Sequence, residues 1–94
     1  MRVEFVGSVR DINPENDNFD VHLHLDDGRV YSFVVATPQN LFRCMDNEGV
    51  DYFVGVPPVL VKRLSADVVE RALRAIVAEE NGRRLDVYGT LQQP

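Results

Sequence analysis

Ninety-four residues are enough for one hydrophobic core, so a single domain spanning residues 1–94 is expected. Fifteen acidic against ten basic residues, −5 at pH 7, argue against a nucleic-acid ligand, because phosphate contacts need concentrated Lys and Arg. No apolar run reaches membrane-spanning length, Met1–Phe5 lacks a signal-peptide core, and the single Cys44 precludes an intrachain disulfide; a cytoplasmic protein without membrane contact is expected.

Residues 2–10 alternate, with Val3, Phe5, Gly7 and Val9 on one face and Arg2, Glu4, Ser8 and Arg10 mostly on the other, the pattern of a half-buried strand. Asp11 to Asn18 is a polar loop containing Pro14 and three asparagines. Strict alternation returns in residues 19–25, where Phe19, Val21, Leu23 and Leu25 oppose Asp20, His22 and His24. Asp26-Asp27-Gly28 turns the chain, and a further strand runs through Ala36. Two registers compete at this hairpin. A two-residue turn pairs Leu25 with Val30 and Leu23 with Ser32. A three-residue turn with a glycine bulge pairs Leu23 with Tyr31, Val21 with Phe33 and Phe19 with Val35. The second gathers more apolar pairs on one face and is preferred.

Pro38 cannot donate to a ladder but suits the first turn of a helix, with Thr37 as N-cap. A short helix from Pro38 to about Met45 is expected, with Cys44 as a small buried apolar group and Asp46 to Gly49 as the stop. Residues 50–54 and 58–63 are β-rich on either side of Pro57-Pro58, and Val59 to Arg63 is the better strand of the two. A long helix then spans 65–81, with Ser65 as N-cap and Asp67 in the first turn. Leu64 and Val69 occupy staple positions. Val68, Val69, Ala72, Leu73, Ile76 and Val77 make an apolar stripe, while Glu70, Arg71, Arg74 and Glu80 face outward. Gly82 fits a left-handed stop, and residues 84–89 read as a last strand.

The fold class is therefore α+β: a four- to five-stranded, mainly antiparallel sheet, the long helix on one face, and the short helix at an edge after the third strand. The expected core comprises Val3, Phe5, Val21, Leu23, Phe33, Val35, Leu60, Val69, Leu73, Ile76 and Val77.

Chemistry-bearing motifs are few. Asp20-x-His22-x-His24-x-Asp26 puts two imidazoles on one strand face, where they could share a divalent ion if a third ligand arrived from elsewhere. The same alternation is ordinary for a strand with one solvated face. Asp11-x-Asn13-x-Glu15-x-Asp17 begins like a calcium loop but has Asn16 where glycine is required and His22 where the closing glutamate belongs. Phosphate loops, glycine fingerprints and nucleophile elbows are absent, so neither a catalytic residue nor a cofactor is expected.

Charge is uneven. Residues 1–51 carry ten acids and four bases, a balance of −6, whereas residues 52–94 stand at +1. Acidic loops steer a cationic partner, and the expected contacts are Asp11, Glu15, Asp17, Asp26, Asp27, Asp46, Glu48 and Asp51.

The segment Tyr31-Ser-Phe33-Val-Val-Ala-Thr37-Pro38-Gln-Asn-Leu41, followed by Leu60-Val61-Lys62-Arg63 and the helix from Ser65, resembles the immunity protein 8 family of bacterial toxin–immunity systems. The outline covers about 70 residues and ends near Gly89; where the family carries an aromatic soon after Thr-Pro, this chain has Phe42 and no tryptophan. The resemblance implies a non-enzymatic protein that binds and neutralises a cognate toxin domain made by the same cell. Two other readings stand beside it: a small metal-binding domain using His22 and His24, and a structural homodimer paired through strand 1 or strand 84–89. Chelation separates the metal reading from the rest. EDTA lowers the thermal midpoint by several degrees if a native-state ion is held, and leaves it unchanged for a toxin-binding domain.

Overall fold

In the computed structural model, which describes residues 1–7, 11–55 and 57–92, the three alternating segments form an antiparallel meander. The strands are β1 (Arg2–Phe5), β2 (Asn18–His24) and β3 (Val30–Ala36). Leu23 pairs with Tyr31, Val21 with Phe33 and Phe19 with Val35, the register of the three-residue turn. The Gly28 N–H donates to the Leu25 carbonyl at 3.0 Å, and the Leu25 N–H donates to the Arg29 carbonyl at 2.9 Å. Gly28 closes this bulge at φ 92°, a left-handed conformation that side chains with a Cβ resist.

Two short strands share the other edge of β3. β4 (Val59–Leu60) runs parallel to Val35–Ala36, and β5 (Gly89–Leu91) runs antiparallel to Tyr31–Phe33. The result is an α+β fold on a mixed five-stranded sheet, with three antiparallel pairings and one parallel.

Helix α1 (Pro38–Glu48) follows β3, and α2 (Ala66–Ala78) follows β4. The Thr37 hydroxyl accepts the Asn40 N–H at 3.3 Å, and the Ser65 hydroxyl accepts the Val68 N–H at 3.3 Å, so both expected caps form. Helix α1 runs three residues beyond the expected Met45 because of how it ends. Gly49, at φ 69°, donates to the Asp46 carbonyl, and Val50 donates to the Met45 carbonyl. That double closure satisfies the last carbonyls and makes the longer helix favourable.

The core lies between α2 and one face of the sheet. Val21, Leu23, Tyr31, Phe33 and Val35 meet Val69, Leu73 and Ile76, with Val3, Phe5, Phe19 and Val77 half-buried at the margin. On α2, Arg74 pairs with Glu70 at 2.8 Å on the outer surface. The expected extension of β1 through residues 8–10, Val9 included, lies outside the described residues, as does the placement of the Glu80 side chain.

Several expectations are corrected. Leu60 is 53% exposed rather than in the core: Val59 pairs with Val35 on the core face, so its neighbour Leu60 faces the opposite way. The strand expected over Val59 to Arg63 is only β4, and residues 50–54 form no strand. The long helix stops at Ala78 and tightens into a 3₁₀ turn, Glu79–Gly82. The strand expected over 84–89 is instead a helical turn, α3 (Leu85–Tyr88), leading into β5. Leu85 and Tyr88 are three apart, so a helical turn points both at the core, whereas a strand would send them to opposite faces. Cys44 is half-buried, its Sγ 3.8 Å from Asn40 Oδ1.

Gly89 allows β5 to approach: a Cβ there would lie 2.8 Å from Phe33 Cζ and 2.9 Å from the Leu85 carbonyl oxygen. Gly89→Ala should therefore lower unfolding free energy by about 2 kcal/mol, read as a reduced urea midpoint. In a Phe33→Leu background the further loss should be smaller, because the ring that the methyl strikes is gone.

Candidate protein-binding surface

With α2 covering one face, the other face of the sheet presents Glu4, Asp20, His22, His24, Ser32, Val34 and Leu60. Near its Ala36 end, Leu41 and Cys44 of α1, with Phe53 and Pro58, meet this second face. A cavity of about 220 Å³ lies there, lined by Asn18, Val34, Ala36, Leu41, Phe53 and Pro58 among others. Phe53 and Val34 remain exposed over nearly half their surface, and Val54 and Leu60 over more than half. Phe42 on α1 and Tyr52 in the loop are 67% and 63% exposed. Isolated exposed apolar residues are ordinary, but Phe53 lines the cavity, and Phe42 and Tyr52 are the chain neighbours of its lining residues Leu41 and Phe53, a concentration of aromatic residues found at contact surfaces.

The acidic residues divide into three groups. Asp26 and Asp27 occupy the β2–β3 turn, while Asp11, Glu15 and Asp17 occupy the β1–β2 loop at the opposite end of the seven-residue β2. A strand of that length spans roughly 23 Å, so these two groups do not form one surface. Several of these carboxylates are already engaged. Asp17 accepts the Asn13 N–H at 3.1 Å and the Asn18 N–H at 2.8 Å, as the organising side chain of its own turn. Glu15 pairs with Arg63 at 3.1 Å, Asp27 with Arg29 at 2.8 Å, and Asp26 with the Met1 amino group. Asp46, Glu48 and Asp51 form the third group, exposed at the end of α1 and directly before Tyr52 and Phe53. Asp20, paired in register with Val34, is exposed on the second face of the sheet.

The floor of the surface is fixed by amide contacts. Asn18 Nδ2 donates to Asn40 Oδ1 at 2.9 Å, tying β2 to the first turn of α1. Asn40 Nδ2 in turn donates to Asn16 Oδ1 at 3.4 Å. Asn40 is buried and paired, which fixes where α1 leaves the sheet.

The two histidines do share a strand face, and Glu4 reaches them from β1, paired in register with His22. Glu4 Oε1 lies 2.8 Å from His24 Nε2 and 3.9 Å from His22 Nδ1. The hydrogen bond from His24 holds the Glu4 carboxyl below its usual range, assisted by the charges of His24, Arg2 and His22. Asp27 is lowered likewise, first by the Arg29 backbone N–H and then by its guanidinium. Among the described residues, no three His, Cys, Asp or Glu side chains are grouped so as to hold a metal ion. Nor, among them, is any helix long and apolar enough to cross a membrane.

Comparison with known proteins found no matching family model, no matching curated protein and no matching solved structure. The surface therefore rests on its own geometry. Charge reasoning from sequence reached Asp46, Glu48 and Asp51 but passed over Val34, Phe42, Tyr52, Phe53 and Leu60. One signal was present: Tyr52-Phe53-Val54 is an apolar run in a loop bounded by Gly49, Gly55 and Pro57, with no periodicity to bury it.

Glu4 and Asp27 have folded-state pKa values below their unfolded ones. Their contribution to stability is present above about pH 4 and lost as pH falls through the lowered values. Glu4→Gln and Asp27→Asn should each melt slightly below the parent at neutral pH, and the gap should close on acidification. Thermal midpoints across an acid titration check this.

Proposed function

We propose that this chain is a non-enzymatic binding protein of the immunity type, acting in the cytoplasm to hold a cognate toxin domain through the second face of its sheet. The observation that carries the reading is the cavity lined by Val34, Leu41 and Phe53, of which Val34 and Phe53 are exposed, together with the exposed Asp46, Glu48 and Asp51 that lie between Leu41 and Phe53 in the chain. Aromatic side chains supply large contact area at low entropic cost, and they concentrate binding energy when a partner excludes water from them. The neighbouring carboxylates favour a cationic partner and raise its rate of encounter, an effect that salt weakens. The resemblance of the Tyr31 to Leu41 segment to the immunity protein 8 family supports the choice of a toxin as that partner.

The test is capture of the polymorphic toxin domain encoded immediately upstream of this gene. Phe53→Ala should weaken binding by roughly tenfold or more, as loss of an interface anchor does. Reversal of Asp46, Glu48 and Asp51 to Lys should chiefly slow association, whereas Asp26→Lys with Asp27→Lys should leave binding near the parent value. Biolayer interferometry at two salt concentrations reads both effects. Equal loss from the hairpin variant, or no capture of an upstream toxin, overturns the reading.

A further inference from the structure

Independently of the second face, the two edges of the sheet are unequal. On the β3 side, the two-residue β4 is preceded by Pro57-Pro58, and β5 is only three residues long. Proline and short strands are the usual protection against pairing with another chain. At the other edge, β1 has no proline, and among the described residues no strand lies against its outer side.

Hydrogen-bond parity shows which backbone groups that edge offers. The Val6 N–H donates to the Asp20 carbonyl at 3.0 Å, so the even-numbered residues of this segment face β2. Arg2 and Glu4 therefore bond inward, and Val3 and Phe5 direct their N–H and carbonyl groups outward. The side chains alternate on a different axis. Val3 and Phe5 lie half-buried along the core face, and Arg2 and Glu4 project from the second face with opposite charges two residues apart.

We propose that β1 pairs antiparallel with β1 of a second copy of this chain, about a two-fold axis through Val3. Val3 then exchanges both backbone hydrogen bonds with the partner's Val3. Arg2 stands directly opposite the partner's Glu4, and Glu4 opposite the partner's Arg2, at the closely spaced non-hydrogen-bonded positions. Phe5 stands opposite the partner's Met1, which continues the apolar core face across the junction. A two-fold interface must be self-complementary, and an Arg-x-Glu edge centred on an apolar residue meets that demand. Moving the pairing by one residue sets each apolar side chain against a charged face, so the register is specified.

The occupant is tested with the purified chain alone, so the result is distinct from that of toxin capture. Sedimentation equilibrium from low to high micromolar concentration should show a reversible monomer–dimer equilibrium. Val3→Pro removes an outward donor without touching the β1–β2 ladder and should give a monomer with a retained thermal transition. R2E and E4R should each weaken self-association by about tenfold, because each places like charges opposite one another in both symmetry-related pairs. Mixed in equal parts, R2E and E4R should form a heterodimer, since one then presents two acids and the other two bases. A parent chain that stays monomeric throughout overturns the proposal. So does a dimer for which R2E and E4R self-associate as well alone as together.

Discussion

The constraint on which everything else depends is the glycine bulge at Gly28. A turn shorter by one residue would shift β3 against β2 and move Tyr31, Phe33 and Val35 off the partners that now complete the core face. The left-handed Gly28, with the paired Leu25 and Arg29 beside it, fixes the offset. From that register follow the apolar surface on which α2 sits and the set of side chains left on the far side.

The far side is where the fold departs from a simple two-layer sandwich. Helix α2 covers one face, whereas α1 reaches only the Ala36 end of the other, held there by the Asn16, Asn18 and Asn40 amides. The rest of that face keeps a polar row of Glu4, His22 and His24 and, toward β4, an apolar row of Val34 and Leu60. Among the described residues, that face is therefore only partly covered. The acidic excess of the first half does not act as one field, because β2 holds its two nearer groups apart and several of those carboxylates are committed to turns and ion pairs. Asp46, Glu48 and Asp51 directly precede the aromatic loop in the chain, and Asp20 is exposed on the sheet face opposite α2.

Local codes were the most legible part of the chain. Thr37-Pro38, Ser65 and Gly49 act within a turn of their own position, so their roles are legible without the fold; Gly82 is left-handed as expected but closes the 3₁₀ turn rather than the long helix. Alternation placed Val21, Leu23, Phe33 and Val35 in the core for the same reason. The misread elements are those whose form is set by distant groups. Leu60 belongs to the expected core, but its direction depends on whether Val59 or Leu60 aligns with Val35. Residues 84–89 read as a strand because their composition allows it. They turn as a helix because Leu85 and Tyr88 both find the core, and Gly89 then has to pass Phe33 closely.

By itself, then, the sequence determined the α+β class, both helix caps, the hairpin and its preferred register, and the net acidity, since each depends on spacing or composition within a short stretch of chain. Only the tertiary structure decided which carboxylates stand apart, which apolar residues are exposed, and which sheet edge carries no further strand among the described residues. Those properties depend on where α1, Phe53 and Pro58 come to rest and on what pairs with each strand. They are relations between residues far apart in the chain, which no local pattern encodes.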